Sequence, residues 1–219
     1  MRIVAALPWY DEPVAFLDRC VRSLAGVADE LVAVDGRWEH YSDTEPVLSH
    51  WTQAQAIARA ADAIALDHRV WMGPNVWGSQ VAKRAALMEL ASEAGDWILV
   101  IDADEYIANS LPGHLRPALQ ETELDVGLVG FTTLNGSRPP SRIRRIFRRG
   151  TTVKTAHNGY NLGGRWLHGD SAHVRLEDAV DVSAYVSMHD DCGARDELRT
   201  EKKRDYRQAR ARHRLEAWR

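Results

Sequence analysis

Asp102 and Asp104 are the residues in this sequence best placed to do chemistry. They flank one small residue, Ala103, directly after the uncharged run Trp97-Ile98-Leu99-Val100-Ile101. Carboxylates at i and i+2 can face one point where a chain leaves a strand and bends. Two such charges repel, and a hard divalent cation is the usual compensation. Mg²⁺ held by one or two carboxylates completes its shell with water and substrate phosphates, and Mn²⁺ takes similar oxygen ligands. A DXD pair also occurs in ordinary turns and helix caps; the buried strand in front of this one makes it a candidate metal site. Cations are the second requirement. Lys83 and Arg84 fall in the first turns of a helical pattern, and a helix N-terminus with cations beside it suits an anion. Two other apolar runs also end in acidic groups: Pro8-Trp9-Tyr10-Asp11-Glu12 and Asp35-Gly36-Arg37.

The elements that must position these residues alternate over the first 135 positions. Arg2 to Leu7 reads as a strand. Pro13 to Ala25 reads as a helix, with Val14, Leu17, Val21 and Leu24 on one face and Gly26 as its stop. Leu31 to Val34 is a second strand and Pro46 to Ala61 a helix. Ala63 to Leu66 is a weaker strand whose run extends toward Trp71. Gln80 to Ala94 keeps Val81, Ala85, Met88 and Ala91 on one helical face. Trp97 to Ile101 lacks polar alternation, as expected of a strand buried on both faces of a parallel sheet. Right-handed crossovers then bring the carboxyl ends of these strands to one edge, where ligands bind in open α/β sheets. Beyond position 135 the pattern becomes short strands: Ser141 to Phe147, Thr151 to Thr155, Ser171 to Leu176 and Val182 to Met188, with Val126 to Thr133 before them. From Ala194 onward the composition is helical and polar. The expected fold is a three-layer α/β domain with a mainly parallel central sheet, a β-rich C-terminal part and a terminal helix. Residues 1–135 and 136–219 form the two parts of one continuous domain.

Charge divides along the same line. The formal net charge of the 219 residues is −3. Residues 1–135 carry 9 Lys/Arg against 20 Asp/Glu, a net of −11, and residues 136–219 carry 19 against 11, a net of +8. That asymmetry suits an anion held between an acidic and a basic part, although solvated helix faces and a bias toward arginine also produce it. Two cysteines, Cys20 and Cys192, cannot build a disulfide framework or a four-thiolate metal site. No apolar run has transmembrane length, and the N-terminal run stops at Pro8, too short for a signal-peptide core. The expectation is a cytoplasmic protein.

Several segments in fixed order resemble the family 2 glycosyltransferases of the GT-A fold, in particular bacterial members. Trp77-Gly78-Ser79-Gln80 and Lys83-Arg84 precede Gly95-Asp96-Trp97-Ile98-Leu99-Val100-Ile101-Asp102-Ala103-Asp104-Glu105, like that group's W-G segment before a D-A-D-E strand end. Pro8-Trp9-Tyr10-Asp11-Glu12 is similar to its P-x-Y-N-E opening, with Asp11 in place of Asn. Leu31-Val32-Ala33-Val34-Asp35-Gly36 is similar to its V-V-D segment, with Arg37-Trp38 departing from the usual serine. Arg145-Ile146-Phe147-Arg148-Arg149 resembles its R-L-F-R-R segment. Ala156-His157-Asn158 stands where many members have His-Glu, and Val186-Ser187-Met188-His189 resembles a late histidine.

The resemblance implies a metal-dependent transfer of sugar from a nucleotide-diphosphate donor of UDP or GDP type to an acceptor that the sequence does not identify. It implies Pro8, Tyr10 and Glu12 beside the base and ribose, Asp35 accepting from the base, Lys83 and Arg84 near the diphosphate, and Asp102 and Ala103 along the donor. Asp102 and Asp104 would hold Mn²⁺ or Mg²⁺, with His189 as a candidate third ligand. Such a metal stabilises the charge that develops on the leaving diphosphate. An inverting enzyme also needs a base at the acceptor hydroxyl. Asn158 cannot be one, which leaves His157, Asp170, Asp178, Asp190 and Asp191, with Asp170 chosen; a retaining enzyme would need no such base.

Arg142, Arg144, Arg145, Arg148 and Arg149 crowd eight positions. Strict alternation places Arg142, Arg144 and Arg148 on one strand face and Arg145 and Arg149 on the other. The basic half also suggests a nucleic-acid-binding protein as an alternative, disfavoured by sparse aromatic interleaving and the lack of a nucleic-acid motif. A sugar nucleotidyltransferase would need a Gly-rich basic loop after the first strand, where this chain is acidic. A dinucleotide-dependent dehydrogenase would need G-x-G-x-x-G there.

Overall fold

Uninterrupted apolar sequence builds the centre of the fold. A computed structural model describes residues 1–37, 47–73, 76–78, 80–133, 140–150, 153–156, 159–162, 165–168 and 179–190. Strands β1 (Ile3–Pro8), β2 (Glu30–Val34) and β4 (Trp97–Val100) are buried on both sides, as their lack of polar alternation requires. β3 (Asp67–Trp71) alternates exposed and half-buried residues because it is an edge strand. These four run parallel in the order β3-β2-β1-β4. The sheet continues through β7 (Ser141–Arg148), β6 (Val126–Thr133), β12 (Val186–Asp190) and β5 (Glu105–Ser110), with β11 (Val180–Asp181) beside β6. β7 is antiparallel to both β4 and β6, β12 is parallel to β6, and β5 is antiparallel to β12. A second sheet is formed by β8 (Val153–Ala156), β9 (Gly159–Leu162) and β10 (Arg165–His168), all antiparallel.

Side-chain parity then makes three layers. Ile3, Ala5 and Leu7 face α1 (Val14–Arg22) and α2 (Trp51–Ala63), meeting Leu17, Cys20, Val21, Ile57 and Ala60. Leu115 and Leu119 of α4 (Pro112–Glu121) extend that cluster. Val4 and Ala6 face α3 (Gln80–Ala94), meeting Leu87, Met88 and Ala91. Among the described residues no helix is long and apolar enough to cross a membrane.

Several element boundaries depart from the sequence expectations. The first helix is Val14–Arg22, with Pro13 as its cap. The second helix is Trp51–Ala63, so the weak strand expected at Ala63 to Leu66 is instead helix end and turn, and the strand is Asp67–Trp71. β5 and α4 were not anticipated: Glu-Tyr-Ile-Ala-Asn-Ser mixes polar and apolar types, and Pro117 lies inside α4. The run from Val182 to Met188 is broken by a turn in which Tyr185 and Val186 donate to the Val182 carbonyl. The strand expected at Thr151 to Thr155 is Val153–Ala156, and β9 and β10 were not anticipated. The expected strand Ser171 to Leu176 and the expected terminal helix from Ala194 lie outside the described residues.

One correction bears directly on the site. The β6–β7 ladder pairs Leu128 with Arg144 but Gly127 with Ile146, leaving Arg145 as an extra residue. This bulge breaks the alternation. Ile143 and Ile146 therefore pack in the same cluster three positions apart. Arg148 shifts to that face too, and its guanidinium lies 4.6 Å over the Trp97 ring.

Candidate active site

Parallel pairing places the carboxyl ends of β1, β2, β3 and β4 on one edge, and the carboxyl ends of β6 and β12 and the start of β5 join them there. After β4 the Ile101 N–H still donates to the Ala6 carbonyl, and then the chain turns. The Glu105 N–H donates to the Asp102 carbonyl at 2.9 Å, and the Asp102 N–H donates to Glu105 Oε2 at 2.9 Å. Asp102 to Glu105 is therefore a closed turn. The thiol of buried Cys20 lies 3.7 Å from the Asp102 carbonyl oxygen.

Two arginines enter this turn. Arg84, from α3, donates to Asp102 Oδ1 at 2.8 Å, and Arg145, from the bulge, donates to Asp102 Oδ2 at 3.3 Å and also to Glu105 Oε1. Burial alone would raise the Asp102 pKa, but the two guanidiniums outweigh it and hold that carboxyl well below the ordinary range. Glu105 moves the other way. Its burial, reinforced by the charges of Asp102 and Asp104, pushes it above its ordinary value against the pull of Arg145. Asp104 is buried at 6% exposure, with Ala103 at 3%.

His189 sits opposite Tyr106 in the β12–β5 ladder, its Nδ1 3.5 Å from the Tyr106 hydroxyl. The Arg19 guanidinium covers the Tyr106 ring at 4.5 Å. Asp190 pairs across the ladder with Glu105. Among the described residues, no three His, Cys, Asp or Glu side chains gather into a set able to hold a metal ion. His157, Asp170, Asp178 and Asp191 lie outside the described residues.

The first two strand ends are fastened by groups that point inward. Lys83 is 2% exposed and donates to the carbonyls of Trp9 and Gly36, joining the loops after β1 and β2. Burial pushes its pKa down to about 7, against the attraction of Asp35. Asp35 is fully buried and accepts from the Ser49 N–H at 2.8 Å and the Ser49 hydroxyl at 2.6 Å. Burial raises the Asp35 pKa, opposed by these hydrogen bonds. The Ser49 hydroxyl oxygen also accepts the Asp11 N–H, and Trp77 Nε1 donates to the Asp35 carbonyl. Gly36 has φ +107°, and a Cβ there would lie 2.9 Å from Trp77 Nε1, so glycine is required. Tyr10 and Glu12 are buried beside this network and Pro8 is half-buried. The structure thus gives Lys83 and Asp35 internal partners that tie the β1 and β2 loops. It brings Arg84 and Asp102 together.

Sequence reasoning missed two members of the site. Glu105 was visible only as the last letter of the strand-end motif. Arg145 was visible as a basic residue in a strand, but strict alternation could not aim it.

No family model matches the chain. A TPR repeat-containing protein of Synechococcus elongatus is 31% identical over 143 residues, covering 63% of this chain. The chain spans 30% of that relative's length. Among solved structures, S. aureus TarS 1-349 in complex with UDP-GlcNAc is similar over 87% of this chain and 59% of its own, at 17% identity and TM-score 0.57. S. aureus TarS is similar over 68% of this chain and 28% of its own, at 18% identity and TM-score 0.51. The likeness is one of fold: the architecture is that of the GT-A type of glycosyltransferase.

Proposed function

We propose that the chain transfers a sugar from a nucleoside-diphosphate donor, of UDP or GDP type, bound at the carboxyl edge of the sheet. The observation that carries this reading is the Asp102 turn. On a GT-A fold, at the strand ends where ligands bind, one carboxylate is gripped by guanidiniums from two different elements, with a second carboxylate, Asp104, two residues on. Guanidiniums are matched to diphosphate oxygens, and carboxylates to a hard cation. The TarS chain of similar fold was solved with UDP-GlcNAc, which favours a UDP-type donor.

The oxygen donors of Asp102 and Asp104 fit Mn²⁺ or Mg²⁺, provided that the donor phosphates and water supply most of the shell. His189, expected from the sequence as a third ligand, does not join them in a metal-holding set among the described residues. When bound, the ion would neutralise charge on the departing diphosphate. Arg84 would help to hold the same group electrostatically, while Arg145 would hold the Asp102 turn beside it. Lys83 and Asp35 would keep the β1 and β2 loops in place around it, with Pro8, Tyr10 and Glu12 along the nucleoside side. Asp170 is the proposed base toward the acceptor.

Thermal unfolding with UDP, GDP and TDP, with and without Mn²⁺, tests the reading, together with detection of nucleoside diphosphate released from a panel of donors. The expected result is a rise in melting temperature with one nucleotide that grows when Mn²⁺ is added. No response to any of them overturns it.

A further inference from the structure

Arg145 is the residue left unpaired between Arg144 and Ile146 by the bulge in the β6–β7 ladder, and its guanidinium reaches the Asp102 turn. Bulges beside binding sites re-aim single side chains in this way. The opposite strand carries the means: a Cβ on Gly127 would lie 3.0 Å from Ile146 Cβ, so the close approach of β6 and β7 at the bulge depends on a residue without a side chain.

The re-aimed guanidinium grips both ends of the turn. It donates to Asp102 Oδ2 and to Glu105 Oε1, while Glu105 Oε2 accepts the Asp102 N–H. Arg145, Glu105 and Asp102 are thereby joined in a closed ring of hydrogen bonds, with side-chain exposures of 13%, 5% and 27%. Arg84 meets Asp102 from the other side, donating to Oδ1 at 2.8 Å. Both bonds come from one guanidinium nitrogen, Nη2, so a lysine, whose charge sits on a single nitrogen, keeps part of the grip without the reach of the planar group.

We propose that Arg145 is a positioning residue that holds the Asp102–Glu105 turn in its donor-receiving shape, and that Gly127 sets its aim through the bulge. The proposal rests on the glycosyltransferase reading for what the turn receives, but not for the clamp itself.

The test is hydrogen–deuterium exchange over residues 101–106, with UDP and GDP binding and donor kinetics, in the wild type, Arg145→Met, Arg145→Lys and Gly127→Ala. In Arg145→Met, exchange across Asp102 to Glu105 rises at least about tenfold while β1 and β4 stay protected. KM for the donor rises about tenfold or more, and kcat changes much less. Arg145→Lys recovers part of the protection, and Gly127→Ala moves in the same direction as Arg145→Met. Losing Arg145 alone leaves Asp102 and Glu105 crowded, so Arg145→Met/Glu105→Gln is measured in parallel as a variant that relieves their repulsion. Unchanged exchange across the turn overturns the proposal, and so does protection lost evenly through the sheet. A wild type that binds no nucleoside diphosphate overturns the glycosyltransferase reading instead, and the exchange data still decide whether Arg145 holds the turn.

Discussion

At the amino edge of the central sheet, carboxylates fasten strand beginnings, through backbone N–H groups at Asp29 and Asp96 and through arginine side chains at Glu30. Asp29 accepts the Ile3 N–H at 2.7 Å and two guanidinium nitrogens of Arg116 at 2.8 and 3.0 Å. Asp96 accepts the Arg2 N–H at 2.8 Å, and Glu30 meets Arg2 and Arg69. At the carboxyl edge, three carboxylates fall within four residues, Asp102, Asp104 and Glu105, and two arginines are drawn inward to them. The amino edge uses its charges to fasten strand beginnings. The carboxyl edge concentrates like charges in a turn that the backbone alone would not need. Crowding of that kind costs stability and is characteristic of sites that bind ions or substrates.

The largest effect should come from the carboxyl edge. Asp104→Asn keeps the shape of the side chain and removes one charge. Nucleoside-diphosphate release is expected to fall by at least about 100-fold. The melting-temperature rise with UDP and Mn²⁺ should vanish, while the unliganded melting temperature moves by less than about 4 °C. A variant with wild-type turnover would remove Asp104 from the site and leave the two edges alike. Lys83→Met comes next and acts on stability. It strands the Trp9 and Gly36 carbonyls in the interior, at a cost of about 2–4 kcal/mol by urea unfolding. A cost below about 0.5 kcal/mol would mean that the β1 and β2 loops are held without the ammonium.

How far these contrasts could be read from the sequence follows from how local their causes are. β1, β2 and β4 were legible because a strand buried on both faces must be apolar throughout, and Asp102 was legible as the first charge after such a run. α3 was legible from its apolar spacing. Arg145 was not, because its aim depends on Gly127 and Ile146 packing across two strands, a contact between positions 19 residues apart. Lys83 was read as a cation for a ligand; its burial against two carbonyls depends on how the β1 and β2 loops close, which no local pattern encodes. β5 and α4 were hidden by polar residues in an edge strand and by Pro117.

The amino edge supplies the next test, through pH. Burial would raise the Asp29 pKa, but the hydrogen bonds from Arg116 and the Ile3 N–H bring it below its ordinary value of 3.8. The unfolded chain therefore takes up this proton first as pH falls. The stabilisation is complete above the unfolded value and is lost as pH drops through the folded one. Asp29→Asn should cost about 1–2 kcal/mol near neutrality, and the gap from wild type should narrow below about pH 4. A gap that stayed constant with pH would assign the loss to geometry rather than charge.

The smallest effect should come from a pair that belongs to neither edge. On α1, Arg22 Nε lies 2.9 Å from both oxygens of Asp18, one helical turn back, with side-chain exposures of 49% and 41%. The order is favourable, with the acid N-terminal to the base, and Arg22 also sits in the last turn, where a cation meets the helix dipole. Water competes for both groups, so a double-mutant cycle should give a coupling of only about 0.3–0.5 kcal/mol, and 1 M salt should erase most of it. The same cycle on Asp102 and Arg145 should give a coupling several times larger that salt barely changes, because those side chains are largely withdrawn from solvent. Equal couplings would show that distance alone sets the strength of an ion pair in this fold. Unequal ones would show that burial at the carboxyl edge makes its charges both costly to crowd and strong enough to hold a turn.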